Sequence, residues 1–214
     1  MSLEVDKVYM IHYTPLKERK QRLLESIPFD MQWIESEPKH QYWNTDKKNW
    51  EEKVIPHIPY RQLKESEISL AHKIIEALKD IVKNGYERSL IFEDDVILIE
   101  DFVNTFNANL SATAQDWDFI FIGSGCNLRV PRNRLVEGQV AYKVPHPATK
   151  CTDSFCVTLE AAKKVLDTII PFTFPIDFEL NYQLSLHDMN VYWWEPPIVQ
   201  QGSQCGLHRS AIQS

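Results

Sequence analysis

At 214 residues, with 43% hydrophobic and 25% charged content, the chain has ordinary globular composition and enough length for one sizeable core. Its formal net charge of −7 lacks the basic excess that neutralises a phosphate backbone, which excludes nucleic acid as an expected general partner. No segment approaches the roughly 18 apolar residues of a membrane-spanning helix, and "MSLEVDKVYMIHY" has no basic lead, long apolar core or small-residue cleavage site. The expectation is a cytosolic chain forming a single domain over residues 1–214. Its four cysteines, Cys126, Cys151, Cys156 and Cys205, lack paired C-x-x-C spacing and read as thiols in a reducing compartment rather than as a zinc or disulfide framework.

The apolar period changes repeatedly along the chain. "KVYMIHY" has the density of a short buried strand, and "LKERKQRLLESI" follows with helical spacing, with Thr14 as cap before Pro15. "MQWIES" predicts a second strand. Residues 36 to 66 then lose period while carrying Trp43, Trp50, Pro38, Pro56 and Pro59, the pattern of a long loop that is either functional or flexible. From Ser66, which can cap, Ile68, Ala71, Ile74, Ile75, Leu78, Ile81 and Val82 form one helical face that Asn84-Gly85 terminates. The strand "RSLIF", a helix at "EDFVNTFNANL", a strand at "WDFIFIG" and a loop from Gly123 to Gly138 come next. Strands at "QVAYKV" and "SFCVTL", a helix "EAAKKVLDTII", a helix from about Asp177 to His187 and the strand "NVYWW" complete the order. Helices interleaved with short apolar strands predict an α/β domain with a mainly parallel, mixed sheet flanked by helices, whose ligands sit beyond the carboxyl ends of the strands.

One stretch stands apart. In "SLIFEDDVILIEDF" a buried strand ends in three consecutive acids, Glu93, Asp94 and Asp95. Adjacent carboxylates repel one another and resist desolvation, so at a strand end facing a crevice they call for a cation. Hard oxygen donors suit Mg²⁺ or Mn²⁺, which bind through one or two carboxylates plus substrate phosphates. The same three acids would also serve as a solvated turn before the helix near Asp101.

"ESEISLAHKIIEAL", "RSLIFEDDVIL", "DWDFIFIG", "SFCVTLEAAKKVL", "FPIDFELN" and "EPPIVQQ", in this order, resemble glycosyltransferase family 25, the lipopolysaccharide and collagen galactosyltransferase group. The likeness runs over about residues 7 to 212. It implies a GT-A-like nucleotide-sugar-binding fold, a D-x-D-like acidic motif matched by Glu93-Asp94-Asp95, Mn²⁺ or Mg²⁺, and inversion at the anomeric carbon. A UDP-hexose is the donor it favours, with a glycan as acceptor. The chain departs from the family pattern at Ala71-His72, where Ser-His is usual, at Thr152-Asp153-Ser154-Phe155, where a neutral Thr-Ala-Gly-Tyr-like turn is usual, and in the Trp-rich insert.

Inverting transfer needs a base for the acceptor hydroxyl and positive charge for the leaving diphosphate. Asp177 and Glu179 are the base candidates, although an acid in a first helical turn is also a good cap. Glu93 and Asp95 are the metal candidates, with His208 as a third ligand and Arg209 as a diphosphate contact, or both as a plain tail pair. Tyr13 or Thr14 could face the nucleotide base and Arg19 a phosphate, with Asp94 in the same nucleotide-binding set; an amphipathic helix with a basic outer face accounts for Arg19 equally well. His72 reads as a packed histidine beside the apolar helix face, and Trp193 and Trp194 as core and rim residues. Two other classes share these acids: a metal-dependent phosphodiesterase or nuclease, and a non-catalytic sugar-binding module.

Overall fold

A computed structural model describes residues 2–35 and 63–207. In chain order it contains β1 (Lys7–His12), α1 (Lys17–Ser26), β2 (Gln32–Glu35), α2 (Glu65–Asn84), β3 (Arg88–Glu93), β4 (Val96–Leu98), α3 (Phe102–Ala112), β5 (Phe119–Phe121), β6 (Ala141–Lys143), β7 (Ser154–Thr158), α4 (Leu159–Thr168), α5 (Ile176–Leu186), β8 (Val191–Trp194) and β9 (Val199–Gln201). Two short 3₁₀ turns, Gly125–Asn127 and Arg132–Arg134, punctuate the loop after β5. The 36 to 62 segment, with Trp43 and Trp50, and the tail with His208 and Arg209 lie outside the described residues.

Among the described residues seven strands form one sheet in the order β2-β1-β3-β7-β5-β8-β6. The α/β alternation expected from the sequence is present, and the sheet is mixed. β1 pairs in parallel with β2 and β3, and β5 with β8, whereas β7 runs antiparallel to both β3 and β5, and β6 antiparallel to β8. β7 sits in the middle with its direction reversed. Its amino-terminal end therefore lies at the same sheet edge as the carboxyl ends of β1, β3 and β5.

Strand side chains alternate between faces, which divides the core in two. Tyr9, Ile11, Ile91, Phe119, Phe121, Phe155 and Val157 face Ile74, Leu78 and Ile81 of α2, Val165 of α4 and Leu180 of α5. Val8, Met10, Leu90, Phe92, Ile120 and Cys156 face Leu23 of α1 and Phe102, Phe106 and Leu110 of α3. Covered on both sides, the middle of β3 is a continuous buried run, as its sequence reads.

The helix ends show where local signals compete. Gly85 adopts the left-handed conformation (φ 70°) expected of a C-terminal stop and donates its N–H to Ile81. The starts differ from expectation. α1 opens at Leu16, not Thr14, with no side-chain cap. α2 opens one residue before Ser66: Lys64 is the cap position, and Glu67 reaches back to its N–H at 2.8 Å. Ser66 lies within the first turn because Glu67, three residues from the cap, supplies the reciprocal bond. Sequence periodicity also leaves out the antiparallel ribbon of β4 and β9, in which Val96, Ile97 and Leu98 pair with Gln201, Gln200 and Val199. Three-residue strands have too little period to read. No described helix is long and apolar enough to cross a membrane.

On the α3 face Phe106, fully buried, meets the Trp194 ring edge-on at 5.3 Å and Phe102 at 5.7 Å. Truncating it leaves a cavity lined by aromatic rings that cannot collapse. Phe106→Ala is expected to cost about 3–5 kcal/mol in stability, read as a lower urea midpoint at unchanged slope.

Candidate active site

The three acids at the end of β3 diverge. Glu93 follows Ile91 onto the face covered by α2, α4 and α5, while Asp94 follows Phe92 onto the α1 face. There Asp94, 7% exposed, is held from three sides: its Oδ2 is 2.8 Å from His12 Nδ1 and accepts the Tyr13 N–H at 3.1 Å, and its Oδ1 accepts from Arg19 Nη1 at 2.8 Å. Burial alone would raise its pKa, but the bonds from His12, Tyr13 and Arg19 outweigh it and hold the carboxyl below its usual range. Asp94 thus fastens the β1–α1 turn to the end of β3. Arg19, the residue expected near a phosphate, directs its guanidinium to this carboxylate, and half-buried Thr14 lies in the same turn.

Glu93, Asp95 and Asp153 share the other arrangement. The Glu93 N–H donates to the Asp153 carbonyl at 2.9 Å, and the Thr152 hydroxyl donates to Glu93 Oε1 at 2.6 Å. Desolvation, followed by the charges of Asp95, Asp153 and Asp94, pushes Glu93 up to about 8 against the opposing Thr152 bond. Asp95, 5% exposed, accepts the Gly202 N–H on its carbonyl at 2.6 Å and the Ser203 N–H on Oδ2 at 3.4 Å, which ties the acidic turn to the chain leaving β9. Asp153, 1% exposed, accepts the Ser154 hydroxyl on Oδ2 at 3.2 Å. Burial, then the Asp95 charge, pushes Asp153 up to about 7, with Ser154 and Lys150 opposing. The remaining oxygens, Asp95 Oδ1 and Asp153 Oδ1, are buried without a hydrogen-bond partner among the described residues.

Two glycines make room for Asp153. A Cβ on Gly123 would lie 1.9 Å from its Oδ2, and one on Gly125 2.6 Å from its Oδ1. No side chain fits at either position while this carboxylate keeps its place.

The two acids of α5 part ways as well. Glu179 is buried, and its Oε2 accepts the N–H groups of Thr173 (3.2 Å) and Phe174 (3.5 Å) while Oε1 accepts from Gln183 at 3.2 Å. Both of its oxygens hold the entry to the helix. Half-buried Asp177 lies in the first turn, its carbonyl accepting from the Thr149 hydroxyl at 3.2 Å. The Thr149 contact sets the first turn of α5 against the segment that leads to Asp153; burial first, then Cys126, then the Asp153 and Asp177 charges push the Cys151 thiol up.

Two buried lysines complete the surroundings, and neither has a sequence signature beyond a charge inside an apolar stretch. Lys73, 4% exposed on α2, sits 5.6 Å over the Tyr13 ring; burial pulls it down to about 8 against the raising charges of Asp94, Glu76 and Glu93. Lys150, fully buried, donates to the Trp194 carbonyl at 3.0 Å and lies 3.7 Å from Glu195 Oε2; burial likewise lowers it to about 8. His72 packs edge-on to Phe172 at 6.4 Å, the packing role its helix face predicts.

Among the described residues no three His, Cys, Asp or Glu side chains converge as a ready-made metal shell. The partial set present is nevertheless chemically suited to Mg²⁺ or Mn²⁺: the orphaned oxygen of Asp95 is a hard donor beside Glu93, and such ions take one or two carboxylates and complete their shell with water and phosphate.

No known family model matches the chain. Over 199 aligned residues it is 23% identical to procollagen galactosyltransferase 2 of Mus musculus; the match covers 87% of this chain and 32% of the relative, so the chain spans about a third of that protein. The relation is a distant likeness to a galactosyltransferase. Among solved structures, the crystal structure of A197 from STIV superposes with a TM-score of 0.46 at 14% identity, covering 87% of this chain and 81% of that one.

Two outcomes test this electrostatic division. Asp94→Ala removes the buried carboxylate opposite Arg19 and should cost about 3–5 kcal/mol. Asp153→Asn should do the reverse at alkaline pH. The folded-state pKa of Asp153 is raised from 3.8 to about 7, so its contribution to stability is fully present below about 3.8 and is lost as pH rises through 7. With chelator present, the Asn variant should exceed the parent by on the order of 2 kcal/mol at about pH 8, a gain that vanishes near pH 4 in urea titrations.

Proposed function

We propose that the chain is a metal-dependent inverting glycosyltransferase that moves a hexose from a nucleoside diphosphate donor, UDP favoured, to a hydroxyl of a glycan. The observation that carries the reading is the buried oxygen of Asp95, unpartnered among the described residues, beside Glu93 at the carboxyl end of β3, where an α/β sheet keeps its ligand crevice. The distant likeness to a galactosyltransferase supports the same class.

In this reading Glu93 and Asp95 would hold Mg²⁺ or Mn²⁺, which would supply positive charge for the leaving diphosphate. Asp153 adds negative charge from the start of β7 and strengthens the site's demand for a cation. The clasp of Asp94 on His12, Tyr13 N–H and Arg19 keeps the β1–α1 turn rigid beside the nucleotide. Lys73, buried over the Tyr13 ring, would offer positive charge to the donor's anionic end. Asp177 accepts the acceptor's proton as the acceptor oxygen bonds to the anomeric carbon and the bond to the diphosphate breaks. Glu179, both oxygens engaged, orders the helix that carries Asp177.

Donor hydrolysis across nucleotide sugars, followed with and without Mn²⁺, tests the class without a known acceptor. Transfer to water yields nucleoside diphosphate and free sugar; nucleoside monophosphate with sugar phosphate would instead mark a phosphodiesterase, and nucleotide binding without turnover a sugar-binding module. Asp95→Ala should abolish the Mn²⁺-dependent part of nucleotide binding, while Asp177→Asn should lower turnover roughly 10²- to 10⁴-fold with donor affinity nearly unchanged. Mn²⁺-dependent affinity surviving in Asp95→Ala would remove the metal assignment.

A further inference from the structure

Beside the acidic turn two thiols meet. Cys126, exposed, belongs to the 3₁₀ turn after β5; Cys151, half-buried, belongs to the segment that leads into β7. Their sulfurs are 2.9 Å apart, although 25 residues separate them in sequence. The backbone around both is unusual for residues with side chains: Cys126, Asn127 and Cys151 have φ of 50°, 54° and 61°. Such conformations persist only where the surroundings impose them. Here the imposition is the close approach of the two loops, since a Cβ on Gly125 would lie 2.4 Å from Cys151 Cβ and 2.7 Å from the Lys150 carbonyl oxygen. The other cysteines are placed differently: Cys156 is buried within β7, and Cys205 bonds to the Gly202 carbonyl at 3.5 Å.

We infer that Cys126 and Cys151 form a redox-responsive pair that closes to an intramolecular disulfide on meeting a low-molecular-weight disulfide such as oxidised glutathione. Cys126, the exposed member, enters first. Its thiolate attacks one glutathione sulfur, the glutathione S–S bond breaks, and one glutathione leaves as a thiol carrying the proton that Cys126 released. Cys151, already in contact, then attacks the Cys126 sulfur of the mixed disulfide and expels the second glutathione, which takes the Cys151 proton. Two protein thiols are oxidised to one disulfide, and one glutathione disulfide is reduced to two thiols. The new bond ties the turn carrying Gly125 to the segment carrying Asp153, so oxidation fixes the carboxylate in its glycine cradle. The pair stands whether or not the chain transfers sugars.

The test uses the full chain. After incubation with oxidised glutathione and acid quenching, the intact mass should be lower by about 2 Da for the two hydrogens removed, and alkylation should then count two free thiols in place of four. Peptide mapping should join residues 126 and 151, and dithiothreitol should reverse the link. Cys126→Ser should abolish the cross-link, and Cys151→Ser should leave a lasting glutathione adduct on Cys126. A stable adduct on Cys126 of the unmodified chain with Cys151 still alkylated, four thiols remaining, or a cross-link through Cys156 or Cys205 would each overturn the inference.

Discussion

The reversed direction of β7 governs the candidate site. Had β7 run parallel to β3 and β5, its amino-terminal approach would have opened on the far edge of the sheet, away from the end of β3. Running antiparallel, it brings the segment from Lys150 to Asp153 beside Glu93, with the Glu93 N–H bonded to the Asp153 carbonyl. A fourth carboxylate thereby joins the three in the acidic turn. Burial first, and then the neighbouring carboxylates, raise the pKa values of Glu93 and Asp153 in the folded state.

Against this strain the structure sets one compensated acid. Asp94 lies one residue from both Glu93 and Asp95, yet pleating turns it to the opposite face, where His12, Tyr13 N–H and Arg19 surround it. Its pKa falls while those of Glu93 and Asp153 rise. Adjacent acids with opposite shifts sit in opposite surroundings: Asp94 secures the turn, while Glu93 and Asp153 are desolvated among like charges. Separating them by a single residue step lets a rigid scaffold hold an electrostatically unsatisfied site, which is how positioned functional groups are generally supported.

How much of this was legible in the sequence follows from the range over which each signal acts. The helix of α2 with its Gly85 stop, the buried run of β3 and the acids that end it are local patterns and read correctly. The direction of β7 is not local: "SFCVTL" reads as a strand in either sense, and only its neighbours choose one, so a mixed sheet is legible while the strand that reverses in it is not. Asp153 was noticed as a charge in a place usually neutral, but its proximity to Glu93 depends on that reversal. Asp177 and Glu179 were equivalent on paper, two acids in one first turn. Packing separates them, since Glu179 faces inward to the Thr173 and Phe174 N–H groups and Asp177 lies half-exposed above the Thr149 contact.

The same reasoning explains why Gly123 and Gly125 matter although neither has a positive φ. Their service is close approach, not a special turn: each yields the volume of one Cβ to the Asp153 carboxylate, and Gly125 also to Cys151. A folded chain gains nothing in stability by burying an acid against backbone with one oxygen unpartnered, and a hydrophobic side chain on that loop would pack more favourably. An arrangement that needs two glycines, three left-handed residues and a half-satisfied carboxylate in two facing loops is therefore more costly than any fold-keeping role for Asp153 requires. In the proposed reading a bound cation would offset that cost.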